Sequence, residues 1–326
     1  MAPIVSVVIP SYNSMMFLPT TLNSVLQQTF SDFEVLIIDD GSQDNVKDWF
    51  TTISDSRVKL FSQENKGYAG ACNTGILNAQ GKYIAFLDAD DVWVPTKLEK
   101  QFRCLEDNPE VGLVDTLVFF VDSEGEKLFT AGSIYKPGNV YETMLVKNLV
   151  PCGSTPMVRR LCFDTVGVFD ESIKGPSDWH MWVRIASQYN FQVIEEPLVH
   201  YRQHSSSVSR NTDIMLRGGL QAINSMFDDA PPHLQYKKKE SYGNLYYVLA
   251  LKAYTVNRNY KQAVYLCLRV LQIYPNKCFS RDFIYLFSKI ILYFTLSEQG
   301  YNQVNRVVSQ LKNLSRALVS RPPQGF

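Results

Sequence analysis

The sequence predicts an α/β protein built on a mostly parallel central sheet flanked by helices, and three observations carry that prediction. Apolar strands alternate with helical patterns through the first ninety residues. Two of those strands run directly into clustered aspartates, at the edge where open sheets of this class place their ligands. At 326 residues with 45% hydrophobic content, the chain can bury a full core and still carry a further element.

The elements follow in order. Ile4 to Ile9 is apolar, lacks a basic leader and stops at Pro10, so it reads as a first strand and not as a secretory signal. Further strands are expected at 34–38, 58–62 and 83–87. Helical spacing lies between them, in Phe17-Leu18…Leu22…Val25-Leu26, in Val46…Trp49-Phe50…Ile53 and across 69–79. Such alternation implies right-handed crossovers. A helix at 95–106 is opened by Pro95 in its first turn. A strand at 111–121 and a turn at 122–126 then read as a hairpin, so the later half is mixed rather than strictly parallel. Helices are expected at 139–147, 159–166 and 177–189, and a strand at 191–194.

The texture changes after Arg210. Pro231-Pro232 and the basic run Lys237-Lys238-Lys239 precede helices near 240–256, 260–273, 281–296 and 301–318. Two regions follow: 1–210, with halves of about 1–92 and 93–210, and a helical C-terminal region, 211–326. Tyr247, Tyr254, Ala263 and Pro275 fall at the spacing of a single tetratricopeptide unit. No second copy exists, and an ordinary helical hairpin accounts for them.

Net charge is zero, so no global field draws the chain to nucleic acid or acidic lipid. Six scattered cysteines without C-x-x-C pairing suit a reducing cytoplasm. The most apolar window, 279–296, is interrupted by Arg281, Asp282 and Lys289 and does not read as a membrane span. Phe279, Phe283, Ile284, Phe287, Ile290 and Ile291 nevertheless form an apolar stripe. Burial on the rest of the protein and peripheral contact with the inner membrane face are its two readings.

Four loops are expected on one sheet edge. Pro10-Ser11-Tyr12-Asn13 offers a ring to stack a base and an Asn to cap the next helix. Asp39-Asp40-Gly41-Ser42 offers a carboxylate to a base N–H or a ribose hydroxyl, and the helical pattern behind it argues against a hairpin. In Asn65-Lys66-Gly67, with Ala71, Asn73 and Gly75 behind, the backbone can approach a ligand closely. Neither G-x-G-x-x-G nor a P-loop lysine is present. The fourth loop places Asp88, Asp90 and Asp91 at one strand end. Clustered carboxylates raise each other's pKa unless a cation joins them, and Mg²⁺ or Mn²⁺ shared with a diphosphate is the usual one. Later, Asp178 sits in the first turn of a helix, as a functional carboxylate or a simple cap. Arg202 and His204 could meet phosphate oxygens or complete a metal's coordination.

Taken in order, Ser6-Val7-Val8-Ile9-Pro10-Ser11-Tyr12-Asn13, Ile38-Asp39-Asp40-Gly41-Ser42, Asn65-Lys66-Gly67…Asn73-Thr74-Gly75 and Phe86-Leu87-Asp88-Ala89-Asp90-Asp91 resemble glycosyltransferase family 2. Gly167-Val168-Phe169-Asp170-Glu171, Asp178-Trp179…Trp182-Val183-Arg184 and Tyr201-Arg202…His204 continue the match through residue 210. The resemblance implies the GT-A fold and an inverting transfer of sugar from a nucleotide diphosphate sugar to a glycan, lipid-linked or other hydroxyl acceptor, with uridine the usual base. It puts Pro10, Tyr12, Asn13, Asp39, Asp40, Asn65, Gly67, Asn73, Asp88 and Arg202 around the donor. Asp90 becomes the principal ligand of a Mn²⁺ or Mg²⁺ ion in a DXD motif, with Asp88 and His204 beside it. Asp178 becomes the base that deprotonates the acceptor, and Asp91 and Trp179 face the acceptor.

Two residues depart from the family pattern. Cys72 stands where many relatives carry Arg, which shifts phosphate neutralisation toward the metal, Lys66 or Arg202; Ser177 stands where an acid is common. A nucleotidyltransferase would need a glycine-rich basic loop after the first strand, and Ser11-Tyr12-Asn13-Ser14 supplies none. A non-enzymatic helical module with a decayed α/β domain fits poorly with Asp39, Asp88, Asp90 and Asp178 all being present.

Overall fold

In a computed structural model, the described residues are 2–204 and 207–296; the helix expected at 301–318 lies outside them. The chain divides into two compact units after Leu245.

The first unit opens with β1 (Val5–Ser11), α1 (Leu18–Leu26), β2 (Phe33–Asp39), α2 (Val46–Phe50), β3 (Val58–Ser62), α3 (Gly67–Asn78) and β4 (Tyr83–Phe86). The first four strands pair in parallel in the order β3-β2-β1-β4. All seven residues of β1 and of β2 are buried, as their unbroken Val/Ile/Leu runs require of strands covered on both faces. Helix α3 lies close on this sheet because its residues are small. A Cβ on Gly75 would stand 2.2 Å from Val8 Cγ1.

The chain continues through β5 (Val92–Trp93), α4 (Lys97–Asp107), β6 (Val111–Val121), β7 (Lys127–Ala131), α5 (Tyr141–Met144), β8 (Met157–Arg159), α6 (Arg160–Val166), α7 (Ser177–Ala186) and β9 (Asn190–Arg202). Strand β8 lies antiparallel between β4 and β6, while β6 and β9 run parallel and β7 forms the expected hairpin on β6. The sheet path is β3-β2-β1-β4-β8-β6-β9-β5, a mixed second half as the sequence predicts.

Several elements differ from expectation. Strands β5 and β8, of two and three residues, are too short to leave a periodic signal. Helix α4 begins at Lys97 behind its N-cap Thr96, so Pro95 precedes the helix rather than sitting in its first turn. Strand β9 runs to Arg202 through Pro197, which sits at a register irregularity opposite Leu117, where a strand tolerates proline.

Helix α8 (Thr212–Asp228) opens the region expected to be helical, although Gly218-Gly219 weakens its own pattern. Those glycines serve packing: a Cβ on Gly218 would fall 1.7 Å from the Lys174 carbonyl oxygen, and one on Gly219 2.7 Å from Leu245 Cδ1. This close approach extends the first compact unit beyond the change of texture at Arg210.

Helix α9 (Lys238–Thr255) runs across the division, and α10 (Tyr260–Ile273) and α11 (Arg281–Thr295) follow it, as predicted. The apolar stripe of α11 is not one face: Phe283 and Ile290 are buried, whereas Ile284 and Ile291, with Phe279 before the helix, are exposed. Among the described residues, no helix is long and apolar enough to cross a membrane.

Candidate active site

The parallel half brings its strand ends level. Ser11 pairs with Asp39, and Val8 with Phe86, so the loops leaving β1, β2 and β4 emerge on one edge. Pro10 is still a strand residue there, opposite Ile38. Tyr12 is half exposed on the first loop. Asn13 takes φ 50, the left-handed region that Asn tolerates. Its amide oxygen accepts from Gln43 N at 2.8 Å, and its own N–H donates to Ser42 Oγ at 3.0 Å. Asn13 therefore laces the first loop to the second. It does not cap α1, whose N-cap position is held by Phe17.

Asp39 and Asp40 are buried. Asp39 accepts from Ser42 N at 2.9 Å and Ser62 Oγ at 3.1 Å. Asp40 accepts from Gln63 Nε2, Lys66 N and Gly67 N at 2.7, 2.8 and 2.8 Å. A carboxylate on the N–H groups that open a helix suits the positive end of its dipole. Asp40 thus fixes the third loop, where a donor contact had been expected. Gly41 has φ +78, and a Cβ there would lie 3.1 Å from Asn65 N, so the exposed Asn65 loop crosses tightly over it. Gly67 has φ +77, and Lys174 Nζ lies 3.4 Å from where its Cβ would be. That places at this loop a cation that belongs to no sequence motif.

Asp88, Asp90 and Asp91 bring carboxylate oxygens within 4.8 Å of one another. Burial first, and then Asp90 and Asp178, push the Asp88 pKa up to about 8. Burial drives Asp91 well above the usual carboxylate range. His204 Nε2 lies 2.7 Å from Asp90 Oδ2, the pairing expected of two residues sharing one site. Asp91 corrects an expectation: it is buried, accepts from Arg202 N at 2.8 Å and from Ser154 Oγ, and cannot face an acceptor. Arg202 is likewise engaged by the protein. Its guanidinium donates to the carbonyls of Asp90 at 2.9 Å and Ser123 at 2.8 Å and lies over Phe17. It ties the acidic loop to the β6–β7 turn, where a phosphate contact had been expected.

Asp178 stands in the first turn of α7, with Oδ1 accepting from Trp179 N at 2.7 Å. Its charge acts on Asp88, Tyr68 and Cys72, and Cys72 also feels Asp88 and Asp40. The acidic groups from the second and fourth loops and from α7 therefore converge around buried Cys72. Trp179 and Asn73 do not join them. The Trp179 indole is buried and donates to Met144 O at 2.8 Å, so it is not an acceptor contact. Asn73 accepts from Phe169 N at 2.8 Å and donates to Phe169 O at 3.0 Å, which makes it a clamp on the 169–171 segment instead of a donor contact.

Ser154 and Tyr68 were missed. Ser154 Oγ accepts from Asp88 N at 2.9 Å while donating to Asp91, and Tyr68 Oη is buried beside Asp88. Neither belongs to a spacing pattern, because the 151–155 loop and α3 meet the acidic loop only through the fold.

Comparison with known proteins bears on the family and the fold. Residues 6–165 match the family model described as glycosyl transferase family 2. Over 211 residues the chain is 32% identical to the Escherichia coli UDP-Glc:alpha-D-GlcNAc-diphosphoundecaprenol beta-1,3-glucosyltransferase WfgD, covering 64% of this chain and 80% of that one. The chain belongs to glycosyltransferase family 2. An uncharacterized glycosyltransferase of Rickettsia felis is 35% identical over 200 residues, 61% of this chain, and the chain spans about a third of that protein's length (33%).

Solved structures of glycosyltransferases show the same fold. Residues 1–349 of S. aureus TarS superpose with a TM-score of 0.61 at 16% identity, covering 94% of this chain and 91% of that one. The mannosyltransferase PcManGT from Pyrobaculum calidifontis, in complex with GDP-Man and Mn²⁺, gives 0.60 at 18% identity, covering 96% and 88%. The family 2 chain thus has the GT-A fold its motifs predict.

Proposed function

We propose that this chain is an inverting glycosyltransferase that moves a sugar from a nucleotide diphosphate sugar, with uridine as the base, to a hydroxyl of a glycan or lipid-linked acceptor. The observation that carries this reading is the convergence of Asp178, from α7, with Asp88 and the Asp90–His204 pair at the carboxyl ends of the parallel strands. WfgD is named for a UDP-sugar donor and a diphosphoundecaprenol-linked acceptor, and TarS has been solved with UDP and with UDP-GlcNAc. These names support the donor and acceptor classes by similarity.

The residues fit a divalent cation. Their carboxylate oxygens lie within 4.8 Å of one another, and Asp88 Oδ1 is buried without a partner among the described residues. Oxygen donors of this kind suit Mg²⁺ or Mn²⁺. Asp90 would hold the ion, with Asp88 and His204 beside it. Bound there, the cation acts as a Lewis acid on the leaving diphosphate. Asp178 takes the proton of the attacking hydroxyl. A single base with direct displacement inverts the anomeric centre, by the same stereochemical logic that separates inverting from retaining glycosidases. Asp39 and Tyr12 serve the nucleoside. All six cysteines are unpaired, which supports action in a reducing cytoplasm, at the inner membrane face where the acceptor is lipid-linked.

Asp178→Asn tests the reading. Turnover should fall by about 10²–10⁴ while affinity for the nucleotide diphosphate stays within a few-fold. Wild-type turnover would assign the base elsewhere. A thermal-shift panel of nucleoside diphosphates, each with and without Mn²⁺, identifies the base: UDP with Mn²⁺ should give the largest stabilisation.

A further inference from the structure

Two buried polar atoms of opposite hydrogen-bonding character face one another beside the acidic loop. Tyr68 Oη and Asp88 Oδ1 are both inaccessible, and neither has a partner at bonding distance and angle. They meet over Gly153, where a Cβ would lie 2.3 Å from Tyr68 Oη, 3.2 Å from Asp88 Oδ1 and 3.4 Å from Asp88 Oδ2. Only glycine leaves room for phenol and carboxylate together. Leaving a buried donor or acceptor unsatisfied is costly, so two such atoms side by side form an incomplete bond that a small rotation closes. The surroundings fix both groups. The Tyr68 ring stands edge-on to Phe169 with centroids 6.4 Å apart, and Asp88 N donates to Ser154 Oγ, one residue beyond Gly153. Cys72, one helical turn beyond Tyr68, is buried and offers no cation to the carboxylate.

The geometry points to Tyr68 as a positioning residue: its hydroxyl donates to Asp88 and sets the direction in which that carboxylate meets a cation-bound diphosphate, with Gly153 as the space that permits it. The inference rests on the reading of this edge as a nucleotide-sugar site. Groups hydrogen-bonded to metal-ligating side chains typically alter metal affinity by about 10–100-fold when removed.

Binding calorimetry tests it, with UDP titrated into the full chain at a series of MnCl₂ concentrations. Tyr68→Phe should retain the wild-type melting midpoint and the wild-type affinity for UDP without Mn²⁺. Its apparent affinity for Mn²⁺ in the presence of UDP should fall by about 10-fold or more. Gly153→Ala, which keeps the phenol but pushes it aside, should give the same loss, and if that variant fails to fold, Tyr68→Phe decides alone. A Tyr68→Phe protein that titrates like wild type overturns the inference and leaves the glycosyltransferase reading standing. A wild-type protein that binds no nucleoside diphosphate with Mn²⁺ overturns both.

Discussion

His204 Nε2 sits 2.7 Å from Asp90 Oδ2, joining the segment after the last strand of the sheet to the acidic loop that leaves β4. The two are 114 positions apart in the chain. The imidazole is also held against Phe17, at the start of α1, with ring centroids 5.1 Å apart. One side chain therefore connects the acidic loop to two other parts of the first unit.

That contact gives a graded expectation. Asp90→Ala should abolish the Mn²⁺-dependent part of UDP binding, because it removes the carboxylate proposed to hold the ion. His204→Ala should weaken it by about 10-fold, the scale of losing a neighbour of the principal ligand. Calorimetric titrations with and without Mn²⁺ separate the two, and equal losses would make His204 as essential as Asp90.

Asn73 is expected to matter for stability and not for the donor. Its amide holds both the N–H and the C=O of Phe169. Asn73→Ala leaves both backbone groups buried without that partner, so the urea midpoint should drop by an amount corresponding to about 1–3 kcal/mol at unchanged m-value. UDP affinity should stay within about two-fold on the remaining protein. A selective loss of UDP affinity would return Asn73 to the donor site.

Much of this was legible in the sequence. The unbroken apolar runs of β1, β2 and β4 and the aspartates behind them identify the parallel half and the edge that carries chemistry, because a strand buried on both faces leaves no polar alternation. What a side chain does at that edge was less legible. Asp40, Asp91 and Arg202 have the composition of ligand contacts, but hydrogen-bond partners from distant loops engage them. Those partners are backbone groups, a glutamine amide and a serine hydroxyl, which carry no spacing signature. Short strands escaped for a related reason: β8 is defined by its neighbours β4 and β6, not by a period of its own.

The last expectation concerns a buried pair away from the acidic edge. Lys97 and Asp115 are both fully buried. Lys97 Nζ donates to Gln101 Oε1 at 2.6 Å and lies 4.0 Å from the Trp93 ring centroid. Gln101 in turn donates to the carbonyls of Val114, the residue before Asp115, and of Thr155. Burial pulls the Lys97 pKa from 10.5 down to about 7, against the opposing effects of Asp115 and Cys152. Burial raises Asp115 from 3.8 to about 7, against Thr155, Thr116 and Lys97. Between pH 3.8 and 7 the folded state holds the Asp115 proton that the unfolded chain has lost, so stability falls as pH rises. Between pH 7 and 10.5 the unfolded chain holds the Lys97 proton that the folded state has lost, so stability rises with pH. The pair therefore contributes least near neutrality. Replacing it with Lys97→Met and Asp115→Leu together should stabilise the protein by about 1–4 kcal/mol near pH 7, as apolar substitution of buried ionic groups often does. The gain should shrink toward pH 4 and toward pH 10. Lys97→Met alone should remove only the alkaline limb. Urea midpoints for wild type and both variants across this range test the account, and a difference between wild type and the double variant that does not change with pH would refute it.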